Sequence, residues 1–188
     1  MQAFHNSEEF KSELHALAIK HREQDQYIKG EYGKMNGKFK GCSVGCLVYD
    51  INQKEGTDAD FGDHAFLAEK LGVPEFICRL QDSIFENLPE PINTEWTERL
   101  INAIPVGANL EPILPRFLLR VLDRLPETDQ ADVVASIKSV RDVLESWAET
   151  GTVDVEAARS AESAARSAAW SAAWEQIAND LIELIEAA

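Results

Sequence analysis

The chain is short of basic residues, cysteine, long apolar runs and strand-type alternation, and each shortage removes a class of protein. There are 18 Lys and Arg against 33 Asp and Glu, a formal charge of −15. Duplex nucleic acid is held by clustered cations that neutralise phosphates, so direct binding through a broad basic face is not expected. Cysteine occurs three times, an odd number. The start, MQAFHNSEEFKSE, has no basic segment followed by an apolar run. Free thiols in a reducing, cytoplasmic setting are therefore expected. No apolar run approaches the roughly 20 residues of a membrane span. No period-two alternation is bounded by hairpin turns, so no strand is expected.

What is present is helical periodicity, and with 45% hydrophobic residues the chain can bury a core without a disulfide or metal. Asn6 or Ser7 caps a first helix opened by Glu8 and Glu9, with Phe10, Leu14, Leu17, His21 and Ile28 on one stripe. Asp63 caps a short helix (His64, Leu67, Ala68, Leu71) that stops at Gly72. Pro74 opens the next (Ile77, Leu80, Ile84, Leu88), which ends at Pro89. Asn93 or Thr94 starts a helix carrying Trp96, Leu100 and Ile104. Pro112 and Pro115 fit the first turn of one whose Phe117, Leu118, Val121, Leu122 and Leu125 are core. Thr128 caps a helix with Val133, Ile137, Val140, Leu144 and Trp147 in a regular stripe.

The expected fold class is all-α: a compact domain of about seven or eight helices, with residues 1–150 as its body. Residues 151–188 form a long Ala/Trp-rich C-terminal helix starting near Thr152, packed on that body or on a second copy as a homodimer. It contains the repeat RSAE-SAAR-SAAW-SAAW over 159–174. Its stripe Trp170, Trp174, Ile177, Leu181 and Leu184 reads as a packing face. Glu175, Asp180, Glu183 and Glu186 interrupt it too often for a membrane helix.

One stretch departs from this pattern. Lys29 to Asp50, KGEYGKMNGKFKGCSVGCLVYD, holds five of the ten glycines and two of the three cysteines. Lys29, Lys34, Lys38 and Lys40 against Glu31 give a local charge of about +3 that focuses anions. Glycine-rich backbone leading into a helix N-terminus presents free N–H groups and the positive dipole end, the chemistry that holds phosphate or carboxylate. The stretch is not a P-loop, because GxxxxGK[ST] is absent. The same lysines also suit a solvated loop that satisfies nearby acids.

Cys42 and Cys46, one helical turn apart, admit three readings. Cys42 beside Lys40 at a helix start would have a lowered pKa and act as a nucleophile, with His21 or His64 as base and Asp25 orienting it. Cys42, Cys46, His21 and His64 would alternatively surround a tetrahedral zinc ion, although their spacing is not the common CxxC. Both cysteines also suit small buried hydrophobes, and His64 on an apolar stripe suits a hydrogen-bonded core histidine. Cys78, His5 and His15 carry no assigned role.

The segments Gly37-Lys-Phe-Lys-Gly-Cys-Ser-Val-Gly-Cys46, Leu71-Gly-Val-Pro74, Asp82-Ser-Ile-Phe-Glu-Asn-Leu-Pro89 and Ile104-Pro-Val-Gly-Ala-Asn-Leu110, with His64 and the SAAW-type repeat, resemble an uncharacterised bacterial and phage protein family. The resemblance covers most of the chain and implies no activity. A phage setting would favour an accessory role, such as interference with a host system.

The functional expectation is a soluble helical binding protein holding a small anionic, phosphate- or nucleotide-like ligand at Lys38, Lys40, Gly41, Cys42, Cys46, His21, Asp25 and His64. One alternative is an interaction protein whose acidic surface inhibits a host protein or mimics DNA. The other is an enzyme using Cys42, His21, His64 and Asp25. No resident cofactor is expected, zinc being the alternative, and no membrane or direct nucleic-acid partner.

Overall fold

Ser7 is an extended residue after a 3-10 turn (Ala3–Asn6), and its hydroxyl accepts the Phe10 N–H at 3.1 Å, which starts α1 (Glu8–Glu23). Asp63 does the same for α3 (His64–Leu71), accepting from Phe66 N–H at 2.9 Å, and Gly72 closes that helix in the left-handed conformation. Replacing Asp63 with Ala is expected to cost about 1 kcal/mol. A lower urea midpoint with an unchanged denaturant slope would report it. Between α1 and α3 lies α2 (Ser43–Glu55), started by Cys42 and ended by Gly56. Three further helices are each entered through a proline, whose fixed φ and missing N–H suit that position. They are α4 (Glu75–Asn87) after Pro74, α5 (Ile92–Ala103) after Pro91 and α6 (Ile113–Leu122) after Pro112.

The computed structural model describes residues 1–124, 131–152 and 174–188. Beyond Pro112 the described residues add α7 (Ala131–Thr150) and α8 (Trp174–Glu186). Among the described residues the fold is all-α, with one exception. β1 (Lys34–Asn36) and β2 (Lys38–Lys40) pair antiparallel around Gly37, whose φ is 80°. The expectation of no strand is corrected here: strands of three residues are too short to show alternation. No helix among the described residues is long and apolar enough to cross a membrane.

Two compact units are present, Met1–Glu111 and Pro112–Ala187. In the first, α5 packs on α1 and α4, and α2 packs on α1, α3 and α4. Trp96, Phe85 and Phe4 are fully buried there, and the Trp96 indole N–H donates to the Gln81 carbonyl at 3.2 Å. A buried polar chain ties three helices together: Gln81 Nε2 donates to Ser43 Oγ at 2.6 Å, and Ser43 Oγ meets Thr97 Oγ1 at 2.7 Å.

In the second unit, α7 and α8 both pack on α6, whose Ile113, Phe117, Leu118, Val121 and Leu122 are buried. The face of α8 is Ile177, Ala178, Leu181, Ile182 and Ile185, with Leu184 only part-buried. The buried spacing runs i, i+4, i+8 from Ile177, so Ile185 takes the place expected of Leu184. Charge helps select α6 as the partner of α8: Arg124 contacts the buried Asp180, and Arg120 reaches Glu183 at 2.7 Å. Thr128, Leu125, Trp170 and residues 159–173 of the repeat lie outside the described residues, as does the Val133 side chain.

Candidate functional site

Helix α1 stops at Glu23, and Asp25 turns the chain with a left-handed φ of 53°. The strand-like segment that follows is held to the entry of α2. Gly41 N–H donates to Gln26 O at 3.0 Å, Ile28 N–H to Gly41 O at 2.9 Å, and Cys42 N–H to Glu31 O at 2.9 Å. The buried Gln26 amide adds a bond to Phe39 O at 3.0 Å. Residues 26–33 thereby cross the first turn of α2. At the crossing, a Cβ on Gly45 would stand 1.5 Å from the Tyr32 carbonyl oxygen, and one on Gly41 would stand 2.3 Å from it. This is the physical content of Gly-Cys-x-x-Gly-Cys: the glycines give the backbone room to pass, and the cysteines are buried beneath it.

The outer surface of this stretch is basic. Lys34 pairs with Lys40 across the hairpin, and Asn36 with Lys38. Directly opposed residues share a face of a two-stranded sheet, so the three lysines and Asn36 stand together. Met35 and Phe39 take the other face, where Phe39 is buried and stacks on Tyr49 at 4.1 Å. Lys40 meets Asp25 at 2.9 Å and Lys34 meets Glu31 at 2.8 Å, both acids being exposed. Lys29 is turned away and donates to the Leu88 carbonyl.

The cradle expected at the start of α2 is filled. Cys42 Sγ accepts the Gly45 N–H at 3.4 Å, and the Tyr32 carbonyl lies over the turn. Gly41, Cys42 and Cys46 are buried, so they form no open anion cradle.

Beneath the crossing is a second, different cluster. Asp82 and Glu86 stand one turn apart on α4. Cys42 Sγ, an Asp82 oxygen and a Glu86 oxygen lie within 4.8 Å of one another. The Gln81–Ser43 bond fixes α4 against α2 beside this meeting point. Asp82 Oδ2 faces His64 Nε2 at 3.2 Å and accepts the Tyr32 hydroxyl at 3.1 Å. The Tyr32 and His64 rings meet edge to face at 5.8 Å. Asp82 Oδ1 is buried with no hydrogen-bond partner, and Glu86 Oε2 accepts the Gly30 N–H at 2.9 Å.

Burial sets the protonation of this cluster. It pushes the Cys42 thiol up to about 12, with the Asp82 carboxylate adding to the rise against the Gly45 N–H. It also raises Glu86, with Asp82 again adding, and lifts Tyr32 to about 12. The expected lowering of the Cys42 pKa by Lys40 and the helix end is therefore reversed. The Lys40 ammonium points to Asp25 instead, and desolvation of the sulfur outweighs the N–H groups around it.

The other expected partners separate. His21 Nε2 bonds Asp50 Oδ2 at 2.7 Å on α2, not Asp25, whose side chain is exposed on Lys40 beyond the end of α1. His21 Nδ1 is buried without a partner. Cys46 Sγ points to Gly41 O at 3.6 Å, and burial raises its pKa, with Asp50 adding to the rise. Cys42, Cys46, His21 and His64 thus form no common tetrahedral site; among the described residues the ligand-type cluster is Cys42, Asp82 and Glu86.

Asp50, Asp82, Glu86 and Tyr32 have no site role in the sequence reading. The available signal was carboxylate spacing: Asp82 and Glu86 at i, i+4 on one helix, and Asp50 four residues after Cys46. An open cleft of about 360 Å³ between Met1, Gln2, His5 and Glu69 contains none of these groups. No protein-family model, curated protein or solved structure matches this chain.

Proposed function

We propose that the protein is a helical binding protein for a small anionic, phosphate-bearing ligand, held on the hairpin face of Lys34, Lys38 and Lys40. The observation that carries this reading is the hairpin register, which sets three ammonium groups on one face of a chain with a net charge of −15. Such a patch concentrates anions locally while the rest of the surface repels them. The acids that meet Lys34 and Lys40 are exposed, and exposed ion pairs are weak, so a phosphate group can displace them.

Binding is favoured over thiol catalysis for two reasons. The Cys42 thiol is buried and neutral near pH 7, and His64 Nε2 is spent on Asp82 Oδ2. Titration of the protein with inorganic pyrophosphate at low salt tests the reading. Saturable binding is expected, weakening as salt rises. The pair Lys38→Glu and Lys40→Glu should lower affinity at least about tenfold while leaving the circular dichroism spectrum unchanged. Equal affinity in the double variant, or no saturable binding to the parent chain, rejects it.

A further inference from the structure

The geometry points to a divalent metal site beneath the hairpin, with Cys42 Sγ, Asp82 Oδ1 and the Glu86 carboxylate as ligands and an ion of the zinc class as occupant. This inference is independent of the lysine face.

Three observations carry it. First, the three ligand-type atoms converge within 4.8 Å of one another from two helices, so side-chain shifts of about 1 Å bring them to the roughly 3.5 Å separations that Zn–S and Zn–O bonds in a tetrahedral site require. Second, each ligand is oriented from behind by a group that leaves it a free lone pair. Asp82 Oδ2 faces His64 and accepts from Tyr32, Glu86 Oε2 accepts from Gly30, and Cys42 Sγ accepts from Gly45. Outer hydrogen bonds of this kind fix metal ligands in place. Third, Asp82 Oδ1 is buried and has no hydrogen-bond partner, although a buried carboxylate oxygen is costly to leave unsatisfied. An ion at the meeting point would satisfy it.

The donor set selects the metal. A thiolate sulfur is a poor ligand for magnesium or calcium and a good one for borderline first-row ions, and the two carboxylates suit zinc or cobalt(II). Three protein ligands leave a fourth position for water or another small ligand. On binding, the Cys42 sulfur forms its bond to the metal and its proton passes to solvent, while both carboxylates bind ionised. His64 does not join the three-ligand cluster; it acts through Asp82, as Tyr32 does.

Titration of the reduced full chain with cobalt(II) tests the assignment, because a thiolate on cobalt gives a near-ultraviolet charge-transfer band. One equivalent is expected, with that band, a higher thermal midpoint, and displacement of cobalt by zinc. Glu86→Gln, at a half-buried position, should keep the fold and lower cobalt affinity at least about tenfold. Tyr32→Phe should lower affinity about tenfold and leave the band in place, as a positioning role requires. Cys42→Ser should abolish the band. The assignment is overturned if the folded parent chain takes up no cobalt, if the band survives Cys42→Ser, or if Glu86→Gln binds cobalt as tightly as the parent.

Discussion

Gly45→Ala is expected to cost more than about 4 kcal/mol and to leave little folded protein at 37 °C. The new Cβ would stand 1.5 Å from the Tyr32 carbonyl oxygen and 2.5 Å from its carbon. Both are backbone atoms, so no side-chain rotation relieves the overlap. Relief requires lifting residues 26–33 off α2, which breaks the Cys42–Glu31 and Ile28–Gly41 bonds and disperses the groups that surround Asp82. Gly37→Ala is the informative comparison. Its φ of 80° is strained for alanine, but nothing lies within 4 Å of the added carbon, so about 1 kcal/mol is expected. Urea denaturation of both variants separates lack of space from lack of conformational freedom. Equal costs at the two positions would mean that the chain does not cross α2 at Gly45.

Raising the pH from 8 to 10 is expected to destabilise the reduced, metal-free protein steeply. All three thiols are buried; Cys42 and Cys78 are pushed up to about 12, and Cys46 is also raised, burial being the leading cause each time. A thiol whose folded pKa lies above its unfolded value binds more protons in the native state. Its contribution is complete below the ordinary thiol range near ~8.5 and is lost as pH climbs toward the folded value. Within that window each thiol costs about 1.4 kcal/mol per pH unit, and the three together cost about 4. Only about 1.5 units of the interval from pH 8 to 10 lie above that ordinary value, so the three thiols together cost about 6 kcal/mol, much of the roughly 5–15 kcal/mol that stabilises a typical domain. The buried Tyr27 hydroxyl, also raised by desolvation, adds to the loss at the top of the range. Urea midpoints at pH 8, 9 and 10 under reducing conditions measure the slope, and Cys78→Ala should lower it by about a third. A flat profile would show that the thiols ionise as readily in the folded chain as in the unfolded one.

The candidate site was only half legible in the sequence. Cys42 and His64 could be named because they stand out locally, one in a glycine-rich entry to a helix and the other at a capped helix start. Asp82 and Glu86 could not, because a pair of acids at i, i+4 on an amphipathic helix looks like any solvated face. His21 and Asp25 stand four residues apart, which on a continuous helix makes them neighbours. That spacing fails once α1 ends at Glu23 and Asp25 takes a positive φ, which leaves Asp50 of α2 as the partner. The lysine cluster was legible as composition, but its shared face depends on a hairpin register that three-residue strands do not announce.

By itself, then, the sequence determined the helical class, a first cap at Asn6 or Ser7, the cap at Asp63, the stops at Gly72 and before Pro89, and the helix start at Cys42. Each of these depends on groups within a turn or two along the chain: a side-chain oxygen reaching an N–H three residues on, a glycine accepting a positive φ, a proline without an N–H. Only the tertiary structure decided that residues 26–33 pass over α2 and that Cys42 meets Asp82 and Glu86 from forty and more positions away. It alone decided that α8 packs on α6 through Arg120 and Arg124. Those choices depend on which buried surfaces and charges come face to face, and that is a property of the whole packed chain.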